Sequence, residues 1–119
     1  MGRVPPGGPG LTPFPSTGRT DEVFAALADR TRRHLLERLS EDGPLSATDL
    51  AGGLPISRQA VVKHLAALGA AGLVHSDRRG REVLFAVEAE PLRDATDWLE
   101  QIGRIWDRRL VALVKHLSE

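Results

Sequence analysis

From Asp21 the apolar residues Val23, Phe24, Leu27 and Ala28, then Leu35, Leu36 and Leu39, recur at three- and four-residue intervals, the spacing that gathers side chains on one face of a helix. Two amphipathic helices follow. Asp29 or Thr31 caps the second, and Gly43-Pro44 ends it. Ser46 offers a further N-cap oxygen, and Asp49 three residues later approximates a capping box for a short helix to Ala51. Gly52-Gly53-Leu54-Pro55 reads as a turn, and Ser57 caps the next helix, in which Val61, Leu65 and Leu68 form the inner stripe and Gly72 closes the C-terminus. Beyond Gly72 the period changes to two. Val83, Phe85 and Val87 alternate with Glu82, Leu84 and Ala86, Leu73 to Asp77 is a matching short strand, and Arg78-Arg79-Gly80-Arg81 joins them into a hairpin.

After Pro91, which suits a first helical position, the series Leu92, Ala95, Leu99, Ile102, Trp106, Leu110, Leu113, Leu117 runs by threes and fours without interruption. It predicts one long helix over about residues 91–117, roughly 40 Å at 1.5 Å per residue. A second stripe, Trp98, Ile105 and Ala112, repeats every seven residues on a neighbouring face. This is more apolar surface than one small domain can cover, so the helix is expected to meet a partner chain. By contrast, residues 1–20 hold five Gly and five Pro, a composition that buries too little apolar surface to offset its ordering entropy. A flexible arm is expected there, with a single folded domain over 21–119.

Composition narrows the function classes. The chain has 119 residues with no cysteine, so disulfides, thiolate metal sites and cysteine nucleophiles are closed to it. The longest uncharged apolar stretch, Leu65 to Val74, falls far short of the roughly 18 residues of a membrane span. The opening Met1-Gly2-Arg3-Val4-Pro5-Pro6 lacks a secretory h-region, and a cytoplasmic location is the expectation. Sixteen Lys plus Arg balance 16 Asp plus Glu, but unevenly. Ser57 to Arg81 carries Arg58, Lys63, Arg78, Arg79 and Arg81 against Asp77 alone, whereas Glu82 to Glu119 is acidic. No Gly-x-Ser-x-Gly, P-loop, G-x-G-x-x-G or His-Glu-x-x-His occurs, and no enzyme is expected.

Two helices joined by a tight turn, the second basic outside, and then a basic hairpin, follow the order of a winged helix-turn-helix. With Val61 inward, 100° per residue places Gln59, Lys63, Ala66 and Ala70 outward, with Arg58 and Val62 on the flank. Ala66 and Ala70 allow close approach to a groove. Gln59 suits adenine, Arg58 guanine or phosphate, and Val62 a thymine methyl. Arg78, Arg79 and Arg81 on the wing are expected at flanking phosphates or the minor groove. Ser57 and His64 complete the expected DNA-contacting set, His64 as a packed or phosphate-contacting side chain.

At these residues the sequence resembles the arsenic-repressor (ArsR) family of bacterial winged-helix regulators. The resemblance runs through Ala26-Leu27-Ala28-Asp29-Arg30-Thr31-Arg32-Arg33, Ser57-Arg58-Gln59-Ala60-Val61-Val62-Lys63-His64-Leu65, Ala71-Gly72-Leu73-Val74 and Arg79-Gly80-Arg81. It implies a mainly α fold with a small β-hairpin, and a homodimeric repressor paired through terminal helices. It also implies that the second helix of the motif reads an imperfect inverted repeat in double-stranded DNA. The interface is then expected at Leu92, Trp98, Leu99, Ile102, Trp106, Leu110 and Leu113. Two positions depart from the family: Arg30 stands where Pro is usual, and Val62 where Ser commonly precedes Lys-His.

The thiolate pair of the family's arsenic, cadmium and lead sensors cannot exist here, and the Asp-x-His of its zinc and nickel sensors is absent. His116-x-x-Glu119 is half a motif, read more simply as a cation near the helix dipole and a terminal carboxylate. No metal and no cofactor are expected. The non-metal branch fits best, with Trp106 to Leu113 as its Trp-x-x-Arg-Leu-x-x-Leu pattern and a small-molecule effector left open. His34 and His75 read as surface residues. Trp98 and Trp106 read as interface core rather than pocket lining, and Arg3 and Arg19 as the arm's only charges. The alternative reading is a protein-interaction module that uses the same scaffold without specific DNA binding.

Overall fold

The structure, a computed structural model, describes residues 18–118. Its elements are α1 (Gly18–Leu27), α2 (Arg30–Asp42), β1 (Leu45–Ser46), α3 (Ala47–Ala51), α4 (Arg58–Ala70), β2 (Val74–Arg79), β3 (Glu82–Val87) and α5 (Ala89–Ser118). This is a mainly α fold with a small antiparallel sheet of strand order β1-β3-β2, the architecture of a winged helix-turn-helix.

The helix starts follow the polar signals in the sequence. Asp29 caps α2, its carboxylate accepting from the Arg32 backbone N–H at 3.0 Å, and Gly43 stands at the C-cap. At α3 the capping box is complete: Ser46 Oγ accepts from Asp49 N at 3.0 Å, and Asp49 Oδ2 accepts from Ser46 N at 3.3 Å. Ser57 Oγ accepts from Ala60 N at 3.1 Å at the head of α4. The end of α4 is a Schellman motif. Leu73 N donates to Leu68 O and Gly72 N to Gly69 O, both at 2.9 Å, and Gly72 adopts φ +77°, a conformation that a side chain would strain. The chain thereby passes from α4 into β2 across three residues.

β2 and β3 pair with Arg79 opposite Glu82, leaving Gly80-Arg81 as a two-residue loop. Gly80 has φ +64° and, among the described residues, no non-glycine residue has positive φ, which makes the loop a type II′ turn with glycine at its first central position. The core lies where α1, α2, α3, α4 and the sheet meet, with Leu35, Leu50, Leu65, Leu68 and Leu73 fully buried.

Four features depart from the sequence-based expectations. Gly18, Arg19 and Thr20, assigned to the arm by composition, belong to α1; residues 1–17, including Arg3, lie outside the described residues. Tertiary contacts hold this first turn: Thr20 is buried, and Arg19 pairs with Glu90 at 3.5 Å and Asp94 at 3.3 Å on α5. Arg19 is therefore a tie between α1 and α5 rather than an arm charge. β1 was not expected, since two residues carry no period; Leu45 pairs with Phe85 and Ser46 with Leu84. α5 begins at Ala89, which puts Pro91 in its first turn, where a missing N–H costs no helical bond. Lastly, Leu92, expected on the exposed stripe, is half-buried and packs partly against the core of its own protomer.

α5 has 30 residues, about 45 Å of helix. Pro91 and Ala95 are its buried members, and Trp98 meets Phe24 of α1 edge-on, with ring centroids 5.6 Å apart. From Thr96 to Ser118 every residue is exposed. No helix among the described residues is long and apolar enough to cross a membrane.

Candidate nucleic-acid interface

α4 buries Val61, Leu65 and Leu68 and thereby turns Arg58, Gln59, Val62, Lys63 and Ala66 outward, all of them exposed. Its axis is set from both ends, by the Ser57 cap and the Schellman motif at Gly72. The outer face is polar and basic around Val62, and Ala66 leaves the backbone accessible, whereas Ala70, expected on the same face, lies at its edge beside Glu22 and Ala25 of α1.

Between this face and the wing lies a groove of about 470 Å³, lined by Ser46 to Asp49 from the β1–α3 junction, Arg58 and Val62 from α4, and Arg81 to Val83 with Phe85 from the wing. The strand register separates the three wing arginines. Arg78 lies opposite Val83 and Ser76 opposite Phe85, so the pleat puts Arg78 on the groove side of the hairpin. Arg79 lies on the other side, where its Nε donates to Asp77 Oδ2 at 3.0 Å. Arg81 sits at the turn and lines the groove. Among the described residues, Arg58, Lys63, Arg78 and Arg81 have no carboxylate within ion-pair distance. Four cations without an ion pair thus lie on α4 and the wing of a chain with no net charge, Arg58 and Arg81 in the groove beside Asp49 and Glu82, and such local positive charge attracts a polyanion.

Besides Arg79 and Arg58, which each donate through Nε to a neighbouring side chain, two side chains of the expected set are engaged internally. His64 turns toward the head of α2, its Nδ1 3.6 Å from Asp29 Oδ2. The Arg32 backbone N–H, together with the neighbouring His64 and Arg32 charges, holds the Asp29 carboxyl below its ordinary value of 3.8, burial opposing. Ser57 spends its oxygen on the α4 cap. A third residue, Thr48 on α3, was not expected at the site: its Oγ1 accepts from Arg58 Nε at 3.2 Å. The helix-turn-helix order alone could have drawn attention to α3, since the first helix of the motif runs beside the DNA backbone.

On α5 the expected interface residues other than Leu92 form an exposed row. Leu99, Ile102, Trp106, Leu110 and Leu113 are each between 37 and 55 % exposed. Trp98 is shared, part against Phe24 and part open. Arg109 lies over the Trp106 ring, 5.5 Å from its centroid. His116 is exposed near the helix end, and Glu119 lies outside the described residues.

A helix-turn-helix domain family matches residues 27–77. Among solved structures, an ArsR-like transcriptional regulator from Rhodococcus sp. RHA1 is 45 % identical with a TM-score of 0.68, the match covering 86 % of this chain and 94 % of that one. The chain belongs to the ArsR family. Two curated relatives agree with this. The HTH-type transcriptional regulator YuzN of Bacillus subtilis is 40 % identical over 90 residues, 70 % of this chain and 98 % of that protein. The arsenical resistance operon repressor of Escherichia coli is 29 % identical over 97 residues, 82 % of this chain and 83 % of that one. As an ArsR-family member the chain is a DNA-binding transcriptional regulator, and α3 and α4 with the β2–β3 wing are its helix-turn-helix and wing.

Proposed function

We propose that this ArsR-family chain is a homodimeric repressor that reads an inverted repeat in double-stranded DNA. Two copies pair through the exposed row of α5, and their α4 helices enter successive major grooves roughly 34–36 Å apart. Arg58, Gln59 and Val62 read base edges, while Lys63 with Arg78 and Arg81 holds phosphates. Arg79, already bonded to Asp77, contributes to the same field at longer range. Ser57 and His64 act through the scaffold, as the cap of α4 and as the tie to α2. The protein works in the cytoplasm, and dissociation from DNA answers a signal other than thiolate-bound metal, since the chain has no cysteine.

The observation that carries this reading is the outward basic face of α4 beside two unpaired wing arginines, in a molecule of zero net charge. Its test is the salt dependence of binding to duplex DNA. With Lys63, Arg78 and Arg81 of each protomer on phosphate, the log–log slope of affinity against salt is expected at about −5, from about 0.9 per neutralised phosphate. A slope near zero, or no binding to duplex DNA at about 0.1 M salt, would contradict it and favour a protein-interaction role.

A further inference from the structure

Arg58 opens α4, and its long, flexible side chain must be fixed before it can discriminate one base from another. The structure already restrains it. Arg58 Nε donates to Thr48 Oγ1 at 3.2 Å, across ten positions of sequence. The hydroxyl is itself held by rigid surroundings: α3 carries both bonds of its capping box, and Ala47 and Leu50 on either side of Thr48 are buried. With Nε occupied, the guanidinium keeps its two terminal nitrogens for bidentate bonding, the form in which arginine meets guanine O6 and N7. Thr48, Arg58 and Val62 line the same groove, so the restraint operates on the side of α4 assigned to base reading.

We propose that Thr48 is a positioning residue for sequence discrimination: it aims the Arg58 guanidinium at one base pair of each half-site, and touches no base itself. This inference rests on the base-reading role given above to Arg58, and the experiment separates the two.

An operator selected from random duplex DNA, together with its single-base-pair variants, is titrated with the full-length protein, Thr48→Val, Thr48→Ser, Arg58→Ala and the Thr48→Val/Arg58→Ala double variant. Valine keeps the branched shape without the acceptor, and serine keeps the acceptor. Thr48→Val is expected to lose about two- to tenfold in affinity, the range of one hydrogen bond, and to lose it only on DNA carrying the base pair whose discrimination Arg58→Ala abolishes. Thr48→Ser retains wild-type discrimination, and Thr48→Val adds no loss in the Arg58→Ala background. Thermal melts accompany each variant, and Thr48→Ala replaces Thr48→Val if that chain does not fold. A loss that is equal on all sequences, or that persists in the Arg58→Ala background, would place Thr48 on phosphate and overturn the inference, as would unchanged discrimination in Thr48→Val. If Arg58→Ala shifts no base preference, the role of Arg58 falls first and the positioning role with it.

Discussion

Changing Leu99 and Trp106 together to glutamate should convert the proposed dimer to monomers and abolish operator binding with it. Full burial of a large apolar side chain stabilises by about 1.5–3 kcal/mol. Leu99 is 54 % and Trp106 55 % exposed in the single chain, so covering what remains contributes about 1 kcal/mol for each. In a two-fold interface every position occurs twice, and the double change removes about 4 kcal/mol. That raises the dimer dissociation constant roughly a thousandfold, before any cost of confronting four carboxylates across the interface. Neither side chain is part of the buried core, so the chain should stay folded, with circular dichroism and thermal midpoint near wild type. Sedimentation velocity reads the oligomeric state and a fluorescence-anisotropy titration reads operator affinity on the same samples. Dimers that persist at micromolar concentration would refute the placement of the interface. Monomers that bind the operator as tightly as wild type would refute its link to DNA reading.

Other substitutions separate reading from holding. Gln59→Ala should cost about 1–3 kcal/mol on the selected operator and flatten preference at one base pair, measured by competition among single-base variants; an even loss across all of them would remove Gln59 from the readout. Arg81→Ala should weaken every sequence alike and reduce the salt slope by about one per protomer, whereas a changed base preference would contradict phosphate contact. Asp29→Asn preserves an N-cap acceptor but removes the carboxylate beside His64. The folded-state pKa of Asp29 lies below 3.8, so its charge stabilises above that value and the contribution is lost as pH falls through the folded pKa. Thermal midpoints of wild type and Asp29→Asn should therefore differ at pH 7 and converge below 3.8; a difference that persists in acid would give the effect another origin.

How much of this was legible in the sequence depended on the range of the interaction. Features that close within one turn were readable: the Asp29 cap, the Ser46–Asp49 box, the Ser57 cap and the Schellman motif at Gly72 each join residues three to five apart. The faces of α4 followed from its period, and burial of Val61, Leu65 and Leu68 agrees residue by residue. What escaped was non-local. The first turn of α1 looks like arm by composition, and it is helical because Thr20 is buried and Arg19 reaches Glu90 and Asp94. Leu92 and Leu99 are seven positions apart on the same stripe of α5, yet one packs on the core and the other faces solvent; only the point where the helix leaves the domain separates them. Thr48 and Arg58 meet because α3 and α4 cross at the motif's turn, and His64 reaches Asp29 from 35 positions away. Neither contact leaves a periodic trace.

The central claim is that the α4 faces of a two-fold dimer read a specific inverted repeat. Selection from random duplex DNA by the purified protein at about 0.15 M salt tests it most directly. Enrichment of a sequence with two-fold symmetry and half-sites about 10 base pairs apart is the predicted result. Recovery of DNA with no enriched sequence, or of one unrepeated half-site bound as tightly as any repeat, would contradict it.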